Sequence, residues 1–187
     1  MYFLPNTCYY IVIMSIDRSH PEHHNHLTIY REAISLPLAF GLTDAAYQLV
    51  ALSGIDLTAE SSRRFRTSKT VPTEELEGML AILKGFPEID LTQNSARVNL
   101  QFPLGRQGWH QDYVPEPLVA YPQGEGFLDV APEARTIEEA RRASEEGKMV
   151  SIPVQAGDIA LVHDGGKIFH RGRNASSTDS RVTIVLH

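Results

Sequence analysis

"ARVNLQFP" (residues 96–103) alternates Val98, Leu100 and Phe102 with Arg97, Asn99 and Gln101, the two-residue period of a half-buried β-strand. Short runs of the same character follow it: PLVAY (117–121), GFLDV (126–130), MVSIPV (149–154), DIALVH (158–163), KIFH (167–170) and RVTIVLH (181–187). Turn residues separate most of them, notably Gly124, Gly126, Gly157, Gly165, Gly166 and Gly172. This pattern, after a helical start, predicts an α+β chain with a predominantly β core. The expected form is an antiparallel sandwich or jelly roll with N-terminal helices packed on one face.

Upstream of residue 96 the period is helical. LTDAAYQLVALSG (42–54) offers Thr43 as an N-cap, apolar positions Ala46, Leu49, Val50 and Leu52, and Gly54 as a stop. PTEELEGMLAILKG (72–85) repeats the logic with Thr73, an acidic first turn, then Leu76, Met79, Leu80 and Leu83 before Lys84 and Gly85. Residues 1–95 therefore read as mainly helical support and 96–187 as the β core of a single domain spanning 1–187. TIEEARRASEEGK (136–148) interrupts the strands. Its capping box of Thr136 and Glu139, with Glu138/Arg142, Arg141/Glu145 and Arg142/Glu146 charge pairs, reads as a solvated helix.

Composition limits the function classes. With 42% apolar and 21% charged residues in 187, the chain can bury roughly 70% of its unfolded surface and needs no second core. A net charge of −6 without a Lys/Arg-rich run argues against nucleic acid as a partner. Cys8 is the sole cysteine, so no intrachain disulfide forms and the cytoplasm is the default compartment. The apolar run CYYIVIMSI (8–16) has no basic residue before it and falls short of the ~20 residues of a membrane span, so it reads as a buried strand or core segment.

GWHQDY (108–113) carries the chemistry. On a strand, residues i and i+2 share a face, so His110 and Asp112 point together while Gln111 points away. An HxD pair is a short motif whose usual role is structural or solvated, and a metal site needs a third ligand. The best candidate is His170, in KIFHRGRNASSTDSR (167–181). Two imidazoles and a carboxylate on one face of an octahedron suit non-haem Fe(II), leaving open positions for co-ligands. Eleven residues after His170, Arg181 opens the last strand, and its planar fork suits bidentate capture of a carboxylate.

Taken together, His110-x-Asp112, His170, Asn174-x-Ser176 and Arg181, with GWHQD and AGDIALVHDGG, resemble the phytanoyl-CoA dioxygenase-like branch of the Fe(II)/2-oxoglutarate-dependent oxygenases, over about residues 95–187. The resemblance implies a double-stranded β-helix in which His110, Asp112 and His170 hold iron and Arg181 pairs with the distal carboxylate of 2-oxoglutarate. It further implies Asn99 at the near carboxylate, with Gln93 or Gln101 as alternatives. Gly172, lacking a Cβ, would let the chain approach the cosubstrate closely. The implied reaction is oxidation of a small-molecule substrate by O2 with release of succinate and CO2. Because Asp112 fills the position that related halogenases leave for chloride, hydroxylation is expected ahead of halogenation.

Two other readings stay open at this level. One is a jelly-roll metalloprotein holding zinc or another divalent ion without 2-oxoglutarate chemistry; two histidines and a carboxylate also suit zinc. The other is a non-catalytic jelly-roll binding module, which the short stretch between Asp112 and His170 keeps in play. HPEHHNH (20–26) reads as a polar loop, His163 as a structural histidine and Trp109 as a core residue beside the site. Tyr113 reads as a pocket-lining or half-buried filler residue, and Asn174 as the start of an Asx-type turn.

Overall fold

The ARVNLQFP stretch forms β4 (Ser95–Gln101), the second strand from one edge of a seven-stranded antiparallel sheet. The computed structural model describes residues 16–52, 67–72, 85–86, 95–112, 114 and 116–186. Within them, β1 (Pro21–His24), β2 (Leu27–Tyr30), β3 (Thr67–Pro72), β5 (Leu118–Gln123), β8 (Ile159–Val162) and β10 (Arg181–Leu186) join β4 in the order β1-β2-β8-β5-β10-β4-β3. A smaller antiparallel sheet contains β7 (Val150–Val154), β6 (Gly126–Ala131) and β9 (Phe169–Asn174), in the order β7-β6-β9. The two sheets form the expected β-dominated jelly roll.

Period-two side chains sort into layers. On the large sheet, Ala96, Val98, Leu100, Leu118, Ala120, Val182, Ile184 and Leu186 face outward and are covered by α1 (Leu36–Leu52). Val119, Tyr121 and Ala160 face inward against Leu128, Val130, Ile152 and Val154 of the small sheet. The outer face of the small sheet carries a third cluster, in which Trp109, Ala131 and Phe169 meet Ala140 of α2 (Ile137–Glu145). Fully burying a large apolar side chain contributes roughly 1.5–3 kcal/mol, so the first two clusters dominate the stability.

Several local expectations change. β4 is buried on both faces: Asn99 and Gln101 are 0% exposed, because their face looks into the space between the sheets. α1 starts at Leu36, not after Thr43, because Leu38, Ala39 and Leu42 already lie on its buried face and Pro37 is tolerated in a first turn. Leu52, expected on the buried face, is 81% exposed. The half expected to be mainly helical also supplies three strands. HPEHHNH is an edge strand and turn, β1 pairing with β2, where polar side chains suit an edge and Pro21 sits at the first strand position.

Thr136 caps α2 by accepting from Glu139 N at 3.2 Å, while Glu139 reaches back to Arg135 N at 2.7 Å, one residue beyond the usual capping box. Residues 73–84 of the helix expected over 72–85, the Gln93 alternative, Tyr113 and all of 8–16 except Ile16 lie outside the described residues, and Pro72 closes β3. Ile16 itself bridges to Ile34. No helix among the described residues is long and apolar enough to cross a membrane.

Candidate metal centre

Residues 104–112 run antiparallel to β9 as an irregular ribbon and extend the small sheet. His110 and His170 exchange both backbone hydrogen bonds, at 3.1 and 2.9 Å, and Asp112 N donates to Gly165 O at 3.0 Å. This pairing sets the two histidines side by side, with ring centroids 4.5 Å apart. One ligand atom from each of His110, Asp112 and His170 lies within 4.8 Å of the others. The sequence brought these three forward, and the fold brings them together.

Each imidazole is aimed by a backbone carbonyl two residues earlier. His110 Nδ1 lies 2.9 Å from Gly108 O, and His170 Nδ1 lies 3.1 Å from Ile168 O. A carbonyl only accepts, so each Nδ1 carries a proton and each Nε2 is turned toward the site. His170 Nε2 then sits 2.9 Å from Asp112 Oδ2, and His110 Nε2 3.9 Å from Asp112 Oδ1. Two imidazoles and a carboxylate converging in this way are a donor set that fits a divalent ion.

Arg181 faces the same space from β10. Its register partner is Gln101 on β4, while Thr183 is opposite Asn99. The guanidinium is almost fully buried, at 1% exposure. Nη1 donates to Arg173 O at 2.6 Å and to Phe127 O at 3.5 Å, and the group lies 4.6 Å above the Tyr121 ring. Nε and Nη2 are buried with no hydrogen-bond partner among the described residues. Burial pushes the Arg181 pKa down, against the raising effects of Tyr121 and of the Asp129 carboxylate. Tyr121 gives no counter-charge: burial pushes its phenol up to about 12 despite the lowering influence of Arg181. A buried cation with two idle donor nitrogens is costly, and a carboxylate ligand would satisfy it.

Between the metal-capable triad and Arg181 lies a cavity of about 30 Å³, lined chiefly by Gln101, Gln107, Tyr121, Gly172, Thr183 and Val185. Gly172 lines this cavity, and a Cβ there would meet Gln107 Oε1 at 3.0 Å and Gln101 Nε2 at 3.3 Å. Asn99 is also buried, donating to Thr183 Oγ1 at 3.2 Å, but Gln101 rather than Asn99 lines the cavity. A far larger cavity of about 730 Å³ lies elsewhere, at the start of α1 and the β5–β6 and β7–β8 turns. It contains none of the triad or Arg181, so the candidate site is the smaller one.

Solved structures share this fold. SnoK, a non-haem α-ketoglutarate-dependent carbocyclase from nogalamycin biosynthesis, is 12% identical with a TM-score of 0.65, over 86% of this chain and 78% of its own. SnoN, the α-ketoglutarate-dependent epimerase of the same biosynthesis, is 13% identical with a TM-score of 0.57, over 86% and 76%. A Pseudomonas putida prolyl-4-hydroxylase is 13% identical with a TM-score of 0.53, over 86% and 91%. No protein-family model and no curated protein matches the chain. At such identities the likeness establishes the fold and leaves the reaction to the site.

Gln107, Tyr121, Gly124 and Gly126 escaped the sequence reading as site residues. Gly124 has φ +85°, and a Cβ on it would lie 3.0 Å from Arg181 Cα; a Cβ on Gly126 would collide with Arg173 O and Arg181 Nη1. The pair leaves the passage through which the guanidinium enters. QGEG (123–126) was legible only as a turn.

The quieter expectations for Asn174, His163 and Trp109 are met. Asn174 Oδ1 accepts from Ser176 N at 3.0 Å, an Asx turn. His163 is held by Thr28 Oγ1 at 2.8 Å and Glu116 Oε1 at 3.3 Å. Trp109 is buried in the outer cluster.

Proposed function

We propose that this chain is an Fe(II)/2-oxoglutarate-dependent oxygenase of the phytanoyl-CoA dioxygenase-like type that hydroxylates a small-molecule substrate. One observation carries the reading: a buried arginine with idle donors shares a cavity with a two-histidine, one-carboxylate cluster. A metal site alone has no use for that cation, whereas a diacid cosubstrate needs it at its far end.

His110, Asp112 and His170 would hold the iron, with Gly108 O and Ile168 O keeping each Nε2 directed at it. Arg181 would take the distal carboxylate through Nε and Nη2, while Tyr121 and Val185 keep water from that pair. Gln101 Oε1, buried and without a hydrogen-bond partner among the described residues, and Gln107 would flank the cosubstrate. When bound, iron and 2-oxoglutarate supply the oxidising chemistry, consuming O2 and releasing succinate and CO2 as the substrate gains oxygen. The chain's own contribution is placement. Asp112 occupies a metal position, which supports hydroxylation over halogenation, and the carbocyclase and epimerase among its structural neighbours mark the other outcomes this scaffold accommodates.

The test is anaerobic addition of Fe(II) and 2-oxoglutarate to the purified protein. A weak visible charge-transfer band is expected, followed by succinate release when O2 is admitted. A second reading, a divalent-metal protein without the cosubstrate, is favoured by the cavity volume of about 30 Å³, room for roughly one water molecule. Under the proposed reading Gln101, Gln107 and their neighbours move apart to admit the diacid. Metal binding with no measurable 2-oxoglutarate binding would decide for the second reading.

A further inference from the structure

His110 does not sit on regular strand. The ribbon pairs with β9 through two bridges, Arg106 with Arg173 and His110 with His170. Between these bridges three residues, Gln107, Gly108 and Trp109, oppose only two, Arg171 and Gly172. The ribbon therefore bulges just before the histidine, and a bulge redirects the side chains beside it. Inside the bulge lies Gly108, whose carbonyl fixes the His110 ring.

Two contacts hold the bulge. On the inner side, Gln107 Oε1 accepts from Gly172 N at 2.9 Å. On the outer side, the Arg171 guanidinium lies 4.4 Å over the Trp109 ring. Arg171 is itself fixed: Nε donates to Asp129 Oδ2 at 2.9 Å, and Nη2 donates to Ser144 Oγ of α2 at 3.1 Å. Asp129 is fully buried and also receives Ser151 Oγ at 2.7 Å and Arg173 Nε at 2.6 Å. Trp109 Nε1 has no hydrogen-bond partner among the described residues, so the residue acts here through its ring face.

We infer that Trp109 and Arg171 are positioning residues: their stack, anchored by Asp129 and by α2, locks the bulge so that Gly108 O holds His110 with Nε2 toward the metal. The inference rests on the metal reading of the triad and adds a purpose for the inserted helix, which through Ser144 supports the arginine from the far side of the sheet. A planar guanidinium is required, since an ammonium would keep the charge but lose the flat face and the fork.

The test compares Trp109→Leu, Trp109→Phe, Arg171→Lys and Ser144→Ala with wild type. Two quantities are read: Co(II) affinity by titration of its visible absorption, and the His110 ring-nitrogen NMR signals of the metal-free protein at pH 8. Trp109→Leu and Arg171→Lys should each weaken Co(II) binding by about 10-fold or more, as loss of the groups that orient metal ligands does. The single His110 tautomer should give way to an average of two. Trp109→Phe should restore both properties, because it keeps a ring face and loses no hydrogen bond. Ser144→Ala, which leaves the core intact, should shift both in the same direction by less.

An unchanged His110 tautomer in both Trp109→Leu and Arg171→Lys would overturn the clamp, whatever the metal does. Loss of the tautomer in a protein whose wild type takes up no Co(II) would support the clamp and remove the metal reading.

Discussion

Replacing Arg181 with methionine separates a residue kept for binding from one kept for stability. The side chain is 1% exposed and has no carboxylate partner among the described residues, with Nε and Nη2 idle. A buried charge without an ion-pair partner costs about 3–5 kcal/mol before its other contacts are counted, which an apolar side chain of similar length would recover. Against that, the carbonyls of Arg173 and Phe127 lose a donor, about 1–3 kcal/mol, and the contact with Tyr121 at 4.6 Å is lost, about 1 kcal/mol more. The balance favours the variant by about 1 kcal/mol, or ~2–4 °C in Tm for a chain of this size.

The assay is thermal unfolding of Fe(II)-loaded protein under anaerobic conditions, with and without 2-oxoglutarate. At 100 times Kd, a ligand adds about 2.7 kcal/mol, so the wild type should gain ~5–11 °C while Arg181→Met gains nothing. The ligand-free variant should melt at or above the wild-type temperature. A variant destabilised by ~3 kcal/mol or more that still responds fully to 2-oxoglutarate would show that Arg181 supports the fold and does not receive the diacid.

His170→Ala should abolish Fe(II)-dependent succinate formation while far-UV circular dichroism stays native, and retained turnover in this variant would remove His170 from the centre. Gly126→Ala should be among the most damaging small substitutions, since its Cβ meets Arg173 O, which is backbone and cannot yield; a loss of several kcal/mol in urea unfolding is expected. Burial raises the Asp129 carboxyl pKa, but hydrogen bonds from Arg173, Ser151 and Arg171 outweigh it and hold the folded value below the ordinary one. Its contribution is therefore fully present above the unfolded value of about 3.9 and is lost as pH falls through the folded value. Urea midpoints from pH 6 downward should fall more steeply in wild type than in Asp129→Asn, and parallel curves would contradict this.

The strands from β4 to β10 were legible because their apolar periods are short, regular and bounded by turn residues. Helix α1 was legible in its middle but not at its start, since its first turn, built around Pro37, is spelled by residues equally at home in a loop. Strand β1 was not legible at all: an edge strand has no buried face to impose a period, and its histidines read as a polar loop. His110, Asp112, His170 and Arg181 could be named because their chemistry is unusual wherever it falls.

Their meeting was another matter. The sequence by itself determined a β-rich chain of jelly-roll type and the residue types able to hold a metal and a carboxylate. Only the tertiary structure decided that Asn99 and Gln101 look into the interior, that Gln101 rather than Asn99 lines the cavity, and that Gly124 and Gly126 clear a path for Arg181. A period-two pattern tells which residues share a face of a strand. Whether that face meets water or the opposite sheet depends on pairing between strands far apart in the chain.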